Sequence, residues 1–178
     1  MNESGLGDIN ASLFFSPKEP TAGGLIWGVG PVFLLPTATK DVLGTEKWGI
    51  GPTAVALKQT GPWTVGLLGN HLWGAGGSDS RSNVSATFLQ PFLSYTTKTQ
   101  TTFSANTEST YDWKNEQWQV PLNFAVAQLF KVGTQLLQVQ AGARYWADAP
   151  AGGPADDLRR RRRHRPPDPT LRPDDRQP

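Results

Sequence analysis

The chain of 178 residues contains no cysteine, which excludes disulfide frameworks, thiolate nucleophiles and cysteine-based zinc sites. It holds two histidines, His71 and His164, in unrelated surroundings, so no metal-ligand spacing arises and no metal is expected. No stretch approaches the roughly 18 consecutive apolar residues of a membrane-crossing helix. If the chain resides in a membrane it must cross as strands, and only a closed barrel satisfies strand backbones in lipid. The opening Met1-Asn2-Glu3-Ser4 has neither the basic nor the apolar segment of a secretory signal, so an exported form is expected to carry sequence upstream of it.

Turn formers and aromatic anchors are plentiful: 19 Gly, 15 Pro and 7 Trp stand against a single Met. Such a composition favours an all-β fold over long helices. The net charge of +2 is misleading, because eight of the seventeen basic residues follow Leu158 and five of the fifteen acids follow Ala155. The body is close to neutral. From Ala155 the composition changes to Asp156-Asp157-Leu158, five arginines at 159–163, and a Pro/Asp/Arg run to Pro178. Residues 155–178 are therefore expected to be disordered, and their Arg/Pro bias is what a shifted reading frame in GC-rich DNA yields.

Between Leu6 and Trp146, apolar-rich segments alternate with clusters of Gly, Pro, Asp, Asn, Lys and Ser. They predict eight strands near 6–16, 25–36, 48–59, 63–74, 84–96, 101–113, 117–130 and 136–147. These are longer than the five or six residues usual in soluble sheets and suit tilted membrane strands of about 9–11 residues. In the sixth segment Phe103, Ala105, Tyr111 and Trp113 alternate with Ser104, Asn106, Glu108 and Asp112. In the eighth, Leu137, Val139, Ala141, Ala143 and Tyr145 alternate with Gln138, Gln140, Gly142 and Arg144. The period of two puts the polar sets on one face. A membrane barrel turns that face to its lumen, whereas a soluble sandwich buries the apolar one against a second sheet.

Aromatic residues crowd the segment ends, at Trp48, Trp63, Trp73, Tyr95, Tyr111, Trp113, Trp118, Tyr145 and Trp146, as in interfacial girdles. Short links at 60–62, 97–100 and 131–135 alternate with longer ones at 37–47, 75–83 and 148–154. The short link at 114–116 departs from this alternation. The motif Trp27-Gly28-Val29-Gly30-Pro31 recurs at Trp48-Gly49-Ile50-Gly51-Pro52, with its glycines expected inward and Trp, Val or Ile, and Pro outward. Pro31, Pro52, Pro91 and Pro121 fall inside the predicted strands. Each removes a ladder donor, so bulges or breaks are expected there.

Several stretches resemble a known family: Gly5-Leu6-Gly7-Asp8-Ile9, Trp27 to Thr37, Lys58 to Trp63, Thr87 to Phe92, Thr107 to Trp113 and Gly142 to Trp146. Together, across residues 5 to 154, they are similar to the outer-membrane proteins named after the meta-cleavage pathway of phenol degradation, often labelled simply as transporters. The resemblance implies a signal-bearing barrel in the outer membrane of Gram-negative bacteria that passes small, aromatic or hydrophobic compounds without a cofactor. The chain departs from the family pattern in lacking a signal and upstream strands. It also ends in an Arg-rich tail where a closing strand is expected, so residues 1–154 read as a partial barrel.

The candidate lumen residues are Asn106, Glu108, Asp112, Gln138, Gln140 and Arg144, which set selectivity through charge or, more plainly, pair with each other to fill the interior, as Glu108 with Arg144. The candidate interface residues are Trp48, Trp63, Trp73, Trp113, Trp118, Tyr145 and Trp146. No catalytic residue is expected, because His71 has no Ser and carboxylate in a recognisable motif nearby. Gly28-Val29-Gly30 lacks the rest of a phosphate loop. The arginine run reads as accidental, so no nucleic-acid partner is expected, only outer-membrane lipid and a small solute. Two rivals remain: a soluble barrel binding an apolar ligand, with the face polarity reversed, and a non-conducting structural barrel.

Overall fold

A computed structural model describes residues 4–148. The expected tail from Ala155 and the loop at 149–154 lie outside the described residues. Within them the chain forms a nine-stranded antiparallel sheet with no α-helix. The strands are β1 (Ile9–Ser12), β2 (Leu25–Leu35), β3 (Lys47–Thr60), β4 (Trp63–Gly77), β5 (Ser85–Thr96), β6 (Thr101–Thr107), β7 (Ser109–Asp112), β8 (Gln117–Val132) and β9 (Gln135–Asp148). A short 3-10 turn, Asp41–Leu43, lies between β2 and β3.

Each strand pairs with the next in a meander, except that β6 and β7 are two parts of one strand, since both lie between β5 and β8. The predicted sixth segment is thus split. The first segment is shortened to β1 plus an isolated bridge between Phe15 and Val29. Among the described residues β1 pairs only with β2 and β9 only with β8, leaving both as sheet edges.

Prolines explain most of the irregularities, the β3–β4 register shift at Trp48 and Gly49 excepted. Pro31 and Pro52 face each other across β2 and β3. The Pro31 carbonyl accepts from the Leu13 amide, so its missing N–H lies on the β1 side, while the β3–β4 register lapses between Ile50 and Thr53, beside Pro52. Continuing the neighbouring registers places Pro91 opposite Thr107 and Pro121 opposite Glu108, where β6 ends and β7 has yet to begin. A strand that meets a missing donor on both sides cannot keep its ladder there. The Val120/Pro121 bulge against β9 has the same origin.

Tight turns close one end of the sheet, with left-handed backbone at Gly61, Gln100 and Gly133. The long connections 36–46 and 78–84 and the turn at 113–116 gather at the other end. The β1–β2 link, 13–24, is the one long connection at the tight-turn end.

Apart from a few between β2 and β4, contacts run between ladder neighbours, and among the described residues no strand packs face to face over another. Ser109 apart, burial is nevertheless one-sided. Val32, Leu34, Leu72, Ala127, Lys47 and Thr53 are buried and share one face by register. Side chains converge on the inside of a curled sheet and diverge on its outside, so this is the concave face. Gly28, Gly30, Gly49 and Gly51 lie on it, while Val29, Ile50 and Pro52 lie on the exposed face, as the repeated motif predicts. At Gly51 an added Cβ would overlap the His71 carbonyl oxygen, so only glycine allows this approach of β3 to β4.

Candidate functional site

The two faces differ in chemistry. On the exposed face stand Trp27, Trp48, Ile50, Trp63, Val65, Leu67, Leu93, Phe103, Phe124, Val126, Val139 and Tyr145, all among the exposed large apolar residues. Phe124 is 57% exposed and Val139 62%. Lys58, near the tight-turn end, and Asp148, at the last position of β9, are the two Lys, Arg, Asp or Glu residues that register places on this face within the strands. An uncovered apolar surface running over the whole sheet is far from the surface of a water-soluble monomer. A shallow trough of ≈ 840 Å³ crosses it between Trp63, Tyr95, Phe103, Phe124 and the small residues Ala141 and Ala143.

The aromatic residues stand in two rows on the exposed face. Near the tight turns, Trp63 stacks on Tyr95 with ring centroids 4.8 Å apart. Near the long loops, Tyr111 meets Trp113 at 4.8 Å and Trp118 at 4.9 Å, and Trp73 lies 4.4 Å from the His71 ring. Thr87 ties this second row together: it accepts a 2.8 Å hydrogen bond from Trp113 Nε1 and bonds His71 Nδ1 at 2.7 Å. Trp146 is the exception among the expected interface residues. It shares the concave face with Arg144, whose guanidinium carbon lies 5.9 Å from its ring centroid, because 144 and 146 have the same parity in β9.

The concave face is itself divided. Over β2–β5 it carries glycines with Val32, Leu34, Leu57, Leu68, Leu72, Phe88 and Phe92, interspersed with Lys47, Thr53, Asn70 and Gln90. Over β6–β9 it carries Thr102, Ser104, Asn106, Glu108, Thr110, Asp112, Gln117, Gln119, Asn123, Gln138, Gln140 and Arg144. The polar interior expected from the sixth and eighth segments thus covers one wall, and the other is largely apolar.

On the polar wall the structure joins four side chains. Asn123 Nδ2 donates to Asn106 Oδ1 at 2.8 Å, Arg144 Nε donates to Asn123 Oδ1 at 2.7 Å, and an Arg144 Nη donates to Glu108 Oε2 at 2.8 Å. Register makes this possible: Asn106, Asn123 and Arg144 are consecutive cross-strand partners on β6, β8 and β9. Glu108 joins from the residue that breaks β6 from β7. A hollow of ≈ 330 Å³ lies over the group, with Gln140 and Ser104 at its side.

Asp112 is not part of the cluster. It caps the β7–β8 turn, accepting from the Lys114 and Asn115 amides and from Asn115 Nδ2. Gln138 lies on the same face nearer the tight turns and makes no hydrogen bond to the group. Two relevant residues were missed in the sequence. Asn123 is the bridging amide, and the Gln117, Gln119, Asn123 alternation marks it. Lys47, 5% exposed, lies at a predicted strand boundary that hides its face.

The long-loop end is fastened by polar contacts. The Asp8 carboxylate accepts from the Ala38 amide at 3.1 Å, the Thr45 amide at 2.6 Å and the Thr45 hydroxyl at 2.7 Å. Burial alone pushes this carboxyl up, but the hydrogen bonds from Thr45, Ala38 and Thr37 outweigh it and hold Asp8 below the usual carboxylate value. Arg81 pairs with Glu46 at 2.7 Å and donates to the Asp41 carbonyl, linking the two long loops.

Comparison with protein-family models, with curated proteins and with solved structures finds no match to this chain.

Proposed function

We propose that this chain forms an outer-membrane β-barrel that lets small solutes, aromatic or hydrophobic ones among them, pass by passive diffusion, with no catalytic step and no cofactor. The observation that carries this reading is the inverted polarity of the sheet, with an uncovered apolar face outside and a hydrogen-bonded polar wall on the concave side. Lipid is the solvent that stabilises such an outer face. The spacing of the girdles supports it. Ten residues separate Trp63 from Trp73 on β4. At ~3.4 Å per residue and a tilt of ~35–45° they span about 24–28 Å, close to the apolar band of an outer-membrane barrel. Lys58 at the band's edge can extend its ammonium to the interface.

The Glu108–Arg144 contact supports a second reading, a barrel whose lumen is filled by its own polar groups and does not conduct. The apolar wall of β2–β5 suits a third, a soluble ligand-holding barrel, but that reading leaves the outer face unexplained.

The test is refolding of the full chain into detergent micelles, followed by heat-modifiable gel mobility and single-channel conductance in planar bilayers. A heat-modifiable band with discrete conductance is the expected result. Folding in detergent without conductance would favour the filled barrel, and a β-rich monomer folding in plain buffer would overturn the membrane reading.

A further inference from the structure

We infer that the hollow over Asn106, Asn123 and Arg144 is a binding site for the anionic acceptor group of a small aromatic solute, an aryl carboxylate being the class that fits. The inference rests on the channel reading for its setting and on the hydrogen-bond geometry for its chemistry. The amide orientations are fixed by the network. Asn123 spends its Nδ2 on Asn106 and its Oδ1 on Arg144. Because Asn106 accepts through Oδ1, its Nδ2, a donor, is left without a protein partner among the described residues. Arg144 uses Nε and one Nη, so its second Nη is also free, on a guanidinium held in place by Glu108, Asn123 and the Trp146 ring. Gln140, beside them, has no partner for either amide atom. The hollow therefore offers donors from Asn106, Arg144 and Gln140 beside the remaining Glu108 oxygen, and fixed donors on a charged fork favour a carboxylate.

Charge on the concave face points the same way. Glu108 is paired with Arg144, and Asp112, which stays an anion while it caps its turn, is outnumbered by Lys47 and Lys131 on the same face, neither of which has an ion pair among the described residues. An uncompensated cation on a lumen wall favours anions over cations. The apolar wall with Phe88 and Phe92 supplies a surface for the ring of the same solute.

The experiment is conductance of the refolded full chain in a KCl gradient, with and without sodium benzoate, for the native protein, Arg144→Gln, Glu108→Gln and Asn106→Asp. Each variant is first checked for heat-modifiable folding. The native channel is expected to prefer chloride to potassium. Arg144→Gln should lower that preference by about threefold and Glu108→Gln should raise it, since the first removes a cation and the second frees one. Benzoate should reduce the native current and have little effect on Asn106→Asp, which keeps the Asn123 bond but replaces the free donor by a carboxylate oxygen. A purely structural network would instead be disturbed in one direction by all three changes. Conduction with selectivity unmoved by these variants, or moved the same way by Arg144→Gln and Glu108→Gln, would overturn the anion site. A folded chain without conductance would overturn the channel reading alone. Calorimetric titration with benzoate in detergent then decides the site: binding lost in Asn106→Asp supports it, and absence of binding to the native protein removes it.

Discussion

Leu67 stands on the exposed face of β4, four residues from Trp63 and six from Trp73, near the middle of the apolar band. Replacing it by Arg separates the two solvents this face could meet. In lipid an arginine at mid-depth costs about 2–4 kcal/mol in a barrel, an unfolding equilibrium shifted about 30- to 1000-fold. In water the same change on a side chain already 47% exposed falls within about 0.5 kcal/mol. Val132→Arg is the depth control, because Val132 occupies the same face at the tight-turn end and the expected cost there is about 0–1 kcal/mol. The assay is urea unfolding of the three proteins in phospholipid vesicles, followed by tryptophan fluorescence. A Leu67→Arg protein as stable as Val132→Arg would refute the placement of this face in lipid.

Three further outcomes follow from the geometry. Gly51→Ala puts a methyl group against the His71 carbonyl and should cost about 1–3 kcal/mol or widen the β3–β4 irregularity, read as lost amide protection at Leu72 and Thr53. Because the folded Asp8 carboxyl titrates below its unfolded value, it adds stability above the ordinary carboxylate range, and this is lost as pH falls through the folded value. Amide exchange at Ala38 and Thr45 should therefore quicken on acidification in the native chain but change little in Asp8→Asn. Arg81→Ala breaks a half-exposed ion pair, so global stability should fall by no more than about 1 kcal/mol while proteolysis of the 36–46 and 78–84 loops accelerates.

Much of the architecture was legible in the residues. Turn clusters separated eight strands where the sheet has nine, with approximate bounds for most, and the period of two assigned Asn106, Glu108, Gln140 and Arg144 to one face, because side-chain alternation in a strand follows from backbone geometry alone. Prolines in strands announced irregularities by the same local chemistry.

What the residues could not disclose depends on neighbours. The break between β6 and β7 arises because Pro91 and Pro121, far apart in sequence, flank the same point of one strand, a matter of register. Trp146, by contrast, was expected at the interface against its own parity with Arg144, which already puts it on the concave face. The division of that face into an apolar and a polar wall was hidden as the break was. Strands β2–β5 carry apolar residues and glycines on both faces with polar residues scattered over each, so alternation gives little signal there, and only curling of the sheet shows which side is crowded. Composition and period thus determined an all-β meander and its face assignments. The tertiary structure decided which side chains meet, because a hydrogen bond such as Arg144 to Glu108 depends on distances across strands that no single strand contains.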